Sequence, residues 1–271
     1  MRRIAFVNLK GGVGKSTCAA TIAVGLAKRG RRVLLIDADA QGHATWTATR
    51  GQGADDPGLG DVLMRRAAVV DAIQSTPTDG LDVLPAGSTL GGASIALAQE
   101  LGRDTRLRSA LADLDGYDEV LIDSGPSLTT ATINVLVAAR EVIAPVDAAM
   151  YAVLGLVDLR RVVEEIRDAY NPELRFGGLV LCKARKDATS RDVERQLRET
   201  FGELVYRTTI PLSAAVESAH ARGLTILDHS PKSPAATAFE ALIDEVLTNG
   251  RSEEAQHARR GPRTRTREDA A

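Results

Sequence analysis

The run Lys10-Gly11-Gly12-Val13-Gly14-Lys15-Ser16-Thr17 follows the apolar stretch Ile4–Asn8 and opens the helical pattern Lys15–Arg29, which ends at Gly30. A glycine-rich turn between a strand and a helix constrains this chain more than any other feature, because it demands a strand–loop–helix unit there. The glycines let the backbone curl so that its N–H groups converge on phosphate oxygens. The start of the following helix adds positive potential. In that setting Lys15 reaches the β- and γ-phosphates, and the Ser16 hydroxyl ligates Mg²⁺. Residues 10–17 are therefore the expected phosphate-binding segment for ATP.

The rest of the chain repeats the alternation. Val33–Asp37, Leu81–Pro85, Val120–Asp123, Val142–Val146 and Phe176–Cys182 are short, β-branched and continuously apolar, as strands buried on both faces are. Helical patterns occupy Leu90–Leu114, Leu128–Ala139, Tyr151–Ala169, Ser190–Phe201 and Pro234–Leu247, and Ala48–Gly60 reads as a loop. The order predicts an α/β fold: a single doubly wound, mostly parallel sheet with helices on both faces. Residues 1–248 form one domain in this reading, and 249–271 form a disordered, arginine-rich tail.

Composition removes several classes of function. Aromatics are 3% of the 271 residues, too few for a base-stacking platform. The net charge of −2 means that nucleic-acid binding must come from a local basic patch. The two cysteines, Cys18 and Cys182, have no metal-ligand spacing, and a reducing cytoplasm is the expected compartment. No apolar run is long enough to span a bilayer, and the tail has no apolar face to lie on one.

Two further segments end strands in carboxylates. Asp37 and Asp39 lie in Val33-Leu34-Leu35-Ile36-Asp37-Ala38-Asp39-Ala40-Gln41-Gly42, and Asp123 ends Val120–Asp123 before Ser124-Gly125-Pro126. Carboxylates beside a phosphate loop can hold Mg²⁺-bound water and orient an attacking water. The alternative for Asp37 and Asp39 is that they cap a helix.

The glycine-rich run departs from the common phosphate-loop pattern, because position 9 is Leu and Lys10 stands at its front. With its lysine at the front, it resembles the deviant Walker A box of the ParA/MinD group of P-loop ATPases, and within that group the Soj-type partitioning ATPases. Residues 33–42 resemble the group's second box, with Ala40 at the usual proline. Residues 119–127 resemble its Walker B segment, with Gly125 at the first proline.

The resemblance implies that Lys10 crosses a dimer interface to the partner's nucleotide, that hydrolysis depends on Asp39, and that Asp123 holds a water on the metal. It implies that Ser16, Asp39 and Asp123 surround Mg²⁺, and that Lys183 and Pro211 border the adenine. It also implies an ATP-dependent homodimer that binds duplex DNA nonspecifically and is stimulated by a ParB-like centromere-binding partner, in a cytoplasmic, nucleoid-associated setting. Lys183, Arg185, Lys186, Arg191, Arg195 and Arg198 form the candidate DNA patch, although Asp187, Asp192, Glu194 and Glu199 could make it an ordinary solvated face. A second basic stretch, expected after Ile210-Pro211, is missing from Leu212–Val216. A related ATPase that positions another cargo, MinD-like or otherwise, is the alternative.

Overall fold

The computed structural model describes residues 1–148 and 152–260. Its strands are β1 (Arg2–Phe6), β2 (Val33–Ala38), β3 (Gln74–Ser75), β4 (Leu81–Leu84), β5 (Glu119–Ser124), β6 (Glu141–Asp147) and β7 (Arg175–Cys182). In the first half the helices are α1 (Lys15–Ala27), α2 (His43–Ala48), α3 (Leu59–Leu63), α4 (Val69–Ala72), α5 (Leu90–Ala96) and α6 (Arg106–Ala110). Then come α7 (Thr130–Ala138), α8 (Ala152–Ala169), α9 (Ala188–Phe201), α10 (Ala214–Ala221), α11 (Ile226–His229) and α12 (Pro234–Arg260).

The sheet runs β3-β4-β2-β5-β1-β6-β7, and every pairing is parallel except the short β3–β4 edge. Alternation along β1 divides the core between the two faces. Ile4 and Phe6 pack with α1 and α12, whereas Ala5 and Val7 pack with residues of α7 and α8 on the other side. Both β2 and β5 are buried along their whole length, which is why they read as unbroken apolar runs. Gly25 of α1 lies directly against the Ile243 side chain of α12 and leaves no room for a Cβ, so the two helices approach closely there. Register aligns Phe6, Asp37 and Asp123 across β1, β5 and β2. The motifs therefore lie together at the carboxyl ends of the three central strands, where parallel α/β folds place their ligands.

Several boundaries differ from expectation. The single helix predicted for Leu90–Leu114 is broken. Gly102 adopts a left-handed φ of 66°, and Asn134 takes up the freed backbone groups, accepting from Leu107 N at 3.0 Å and donating to Arg103 O at 2.7 Å. Helix α9 starts earlier than Ser190, because the Asp187 side chain caps it by accepting from Ser190 N at 2.8 Å. The helix expected to stop at Leu247 continues to Arg260, which corrects the first part of the predicted disordered tail. Glu, Ala, Gln and Arg dominate that extension and favour helix, and Gly261-Pro262 follows as a stop signal. Residues 261–271 and Tyr151 lie outside the described residues. Among the described residues, no helix is long and apolar enough to cross a membrane.

Candidate active site

The loop after β1 is organised by Asn8. Its Oδ1 accepts from Lys10 N at 2.9 Å, and its Nδ2 donates to Pro145 O at 2.8 Å, tying the loop entrance to β6. Gly12 and Gly14 have φ of 74° and 100°, a conformation side chains disfavour. Gly14 also serves as the N-cap of α1 without any side-chain cap, and no acidic residue occupies the first helical turn. By contrast, Thr129 and Asp187 cap α7 and α9 with their side chains. The α1 terminus thus presents backbone donors and positive potential toward an anion.

Lys15 is buried and donates from Nζ to the Lys10 carbonyl at 3.2 Å. Burial lowers its pKa, while Asp123 and Asp39 pull the other way. Lys10 behaves differently. It is exposed, and its Nζ donates to both carboxylate oxygens of Asp147, at 2.9 and 2.8 Å. The two lysines of the loop therefore have separate environments, one inside the site and one at its rim.

Asp123 is completely buried, and the Ser16 hydroxyl approaches its carboxylate too loosely to satisfy either oxygen with a well-formed hydrogen bond. Burial raises its pKa well above the usual carboxylate range. Asp37 adds to this effect, whereas Ser16 and Lys15 oppose it. A buried carboxylate left poorly satisfied beside a lysine and a hydroxyl fits a hard cation with oxygen ligands.

The two carboxylates of the second box do different things. Asp37 is buried, and its Oδ2 accepts from Thr45 N at 2.7 Å and Thr45 Oγ1 at 2.8 Å, while Oδ1 accepts from Asp39 N at 3.1 Å. It anchors the start of α2, in line with the capping alternative. Asp39 is half-buried, and its Oδ1 accepts from Gln41 N at 3.0 Å. Its carboxylate lies 3.8 Å from where a side chain on Gly125 would begin, so the second box and the Walker B loop meet at this point. Gly11 is likewise 3.8 Å from Pro126 when given a Cβ, which brings the phosphate loop to the same junction.

Lys183 and Pro211 come together beside the loop. Ile210 N donates to Leu181 O at 2.8 Å, Ala184 N donates to Ile210 O at 3.1 Å, and Ala184 pairs with Pro211 as an isolated bridge. Together with Gly14 and Thr17 they line one small cavity of about 50 Å³. The candidate DNA residues follow directly. Lys183, Arg185 and Lys186 are exposed on the loop before α9, and Arg191, Arg195 and Arg198 lie on α9 itself. Arg195 pairs with Asp192 at 2.9 Å and Arg198 with Glu194 at 2.8 Å, so part of the patch is already neutralised. Asp147 and Asn8 were not singled out from the sequence. Asn8 carries a local signal, an amide at the end of a strand before a glycine-rich turn, whereas Asp147 is 137 residues from Lys10.

Residues 1–176 match a family described as an AAA domain, AAA_31. The chain is 42% identical over 255 residues to the chromosome-partitioning ATPase Soj of Thermus thermophilus, an alignment covering 91% of this chain and 96% of that protein. It is 39% identical over 262 residues to the chromosome partitioning protein ParA of Caulobacter vibrioides, covering 95% and 98%. Among solved structures it resembles cobyrinic acid a,c-diamide synthase of Mycobacterium smegmatis, crystallised with an ATP analogue and magnesium. There the TM-score is 0.80 at 32% identity, covering 93% of this chain and 97% of that one. Taken with the phosphate loop, the buried Lys15 and the carboxylates at the carboxyl ends of the central strands, these similarities mean that the chain belongs to the ParA/MinD family of P-loop ATPases.

Proposed function

We propose that this chain is a ParA-like ATPase that moves plasmid or chromosomal DNA. It binds ATP with Mg²⁺, pairs as an ATP-sandwich homodimer, holds duplex DNA without sequence preference, and hydrolyses ATP when a ParB-like partner stimulates it. The observation that carries this reading is the division between the two loop lysines. Lys15 is buried and turned toward Asp123 and Asp39. The Lys10 side chain is exposed at the rim, its ammonium paired with Asp147 rather than with the loop, and it is suited to a second molecule's phosphates.

Each residue has a task in this reading. The N–H groups at the start of α1 and the Lys15 ammonium bind the phosphates. Ser16 and Asp123 would hold Mg²⁺, with Asp39 beside them, and the ion would neutralise charge on the phosphate oxygens. Asp39 orients the attacking water, and Asp37 holds the loop that positions Asp39. Lys183 and Pro211 border the adenine. The partitioning role draws support from the names of the relatives, a chromosome-partitioning ATPase and a chromosome partitioning protein.

A second reading has its own observation. Intrahelical ion pairs of Arg195 and Arg198 reduce the free charge of the basic patch. With Leu212–Val216 also uncharged, the same ATP cycle would then position a different cargo with weak DNA binding. ATPase turnover, measured alone, with duplex DNA and with the product of an adjacent centromere-binding gene, separates the two. Stimulation by DNA and partner supports partitioning. Unchanged turnover under both additions would overturn it and leave the second reading, and stimulation by lipid vesicles would point to a MinD-like role.

A further inference from the structure

Cys18 and Cys182 are 164 residues apart in sequence, yet their sulfurs are 3.7 Å apart in the fold. Both are buried and neither is in a disulfide. Cys18 lies one turn into α1, with its N–H donating to Gly14 O at 2.9 Å. Cys182 ends β7 on the other side of the phosphate loop. A Cβ placed on Gly14 would lie 3.8 Å from both Cβ and Sγ of Cys182. The two thiols line the small cavity that also contains Gly14, Thr17, Lys183 and Pro211. The exposed Lys183 and the 42% exposed Leu212 are on its rim, so the cavity opens to solvent.

We infer that Cys18 and Cys182 form an oxidisable dithiol, a modification site through which hydrogen peroxide closes a disulfide across the nucleotide pocket and weakens ATP binding. In the first step one sulfur attacks the near peroxide oxygen. The O–O bond breaks, the sulfur becomes a sulfenic acid, and the departing oxygen leaves as water with the thiol proton. The second sulfur then attacks the sulfenyl sulfur. An S–S bond forms, the S–OH bond breaks, and a second water leaves with the other thiol proton. Two thiols and one peroxide thus give one disulfide and two waters, the sulfurs losing the two electrons that the peroxide gains.

A disulfide needs sulfurs about 2 Å apart, so they must close by roughly 1.7 Å from their present separation. That movement draws the first turn of α1 toward the end of β7, between which the cavity lies. The cavity narrows and Gly14 is pulled out of its relaxed place. The effect on ATP rests on the proposed adenine border at Lys183 and Pro211, but formation of the disulfide does not.

The test uses the full chain, whose only thiols are these two. Reduced protein is exposed to hydrogen peroxide, remaining thiols are alkylated, and non-reducing peptide mapping looks for a Cys18–Cys182 cross-link lighter by two hydrogens. Binding of a fluorescent ATP analogue is measured on the same samples. The expected result is the intramolecular cross-link with affinity lowered roughly tenfold, within the usual range of coupling between sites, and restored by dithiothreitol. Saturating nucleotide should slow the cross-link. Cys18→Ala and Cys182→Ala, each compared with its own untreated sample, should keep their affinity through peroxide treatment.

Thiols that react only after denaturation would overturn the proposal. So would a cross-link that leaves affinity unchanged, or an equal loss of affinity in the alanine variants, which would trace the effect to methionine. Untreated, reduced protein that binds no ATP would instead refute the nucleotide-site reading, while the peptide map still judges the dithiol.

Discussion

The ammonium of Lys10 is held by both carboxylate oxygens of Asp147, at 2.9 and 2.8 Å, across the gap between the phosphate loop and the end of β6. The pair is solvent-exposed, so it stabilises the fold by at most about 1 kcal/mol and is easily exchanged for another anion. A lysine that serves a second subunit needs such a reversible parking place. Lys10→Ala should therefore keep ATP binding and lose ATP-dependent dimerisation or turnover. Asp147→Asn should release Lys10, leaving dimerisation as strong as in the parent chain or stronger. Light scattering in the presence of ATP checks both. A Lys10→Ala chain that pairs and turns over normally would contradict the account of this residue.

Lys15→Ala should abolish useful ATP binding. The lysine is buried, and removing it leaves the phosphates without their cation and Asp123 without its offsetting charge. The loss should be about 3 kcal/mol or more, roughly a hundredfold in affinity. Equilibrium titration with a fluorescent analogue measures it, and near-parental affinity would remove Lys15 from the site.

Asp37 and Asp39, two residues apart, should fail in different ways. Asp39→Ala should bind ATP, hydrolyse it slowly and accumulate as a dimer. Asp37→Ala leaves Thr45 N and Asp39 N without their acceptor and should lower stability by about 1–3 kcal/mol. Turnover assays and thermal unfolding of the two variants distinguish the roles. Normal turnover in Asp39→Ala would shift the catalytic role elsewhere.

The contrast between these aspartates shows where sequence reading ends. β1, β2 and β5 were legible because strands buried on both faces are continuously apolar. The phosphate loop was legible because its glycines must follow a strand and open a helix. Asp37 and Asp39 look alike in sequence, and only the fold brings Thr45 onto one of them. Asp147 and the Cys18–Cys182 contact depend on pairings more than a hundred residues long, which no local pattern encodes. The break at Gly102 did carry a local signal, a glycine before Arg-Asp-Thr, but the surrounding apolar spacing read as one continuous helix. The helix between Leu247 and Arg260 was hidden for another reason. Its helix-forming residues lack an apolar face, and an amphipathic helix announces itself in sequence through apolar spacing.

His220 gives a pH prediction. Burial lowers its pKa below the ordinary 6.5, and the neighbouring His43, 5.2 Å away ring to ring, lowers it further. Thr47 Oγ1 and Trp46 are its other partners, the latter through the His220 carbonyl. A histidine with a depressed folded-state pKa takes up its proton more readily when unfolded. Stability should therefore be level above about pH 6.5 and fall as pH drops from there through the lowered value. Thermal unfolding across this window should show a shallower slope for His220→Gln than for the parent chain. Equal slopes would remove His220 as a contributor.

The proposed DNA face makes a quantitative prediction about salt. About three usable phosphate contacts per subunit become about six in a dimer, and each contributes a slope near −0.9. Raising salt from about 50 to about 200 mM should thus weaken dimer binding by roughly three decades and monomer binding by under about two. Arg191→Glu with Arg195→Glu should eliminate binding while sparing ATP affinity. Retained binding in that double variant would move the interface away from α9.

Sedimentation velocity with labelled duplex DNA at physiological salt tests the central claim most directly, comparing ADP with a non-hydrolysable ATP analogue. The account predicts that the chain sediments as a monomer apart from the DNA in ADP, and as a dimer carrying the DNA in the ATP analogue. Identical association state and DNA binding in the two nucleotides would contradict it.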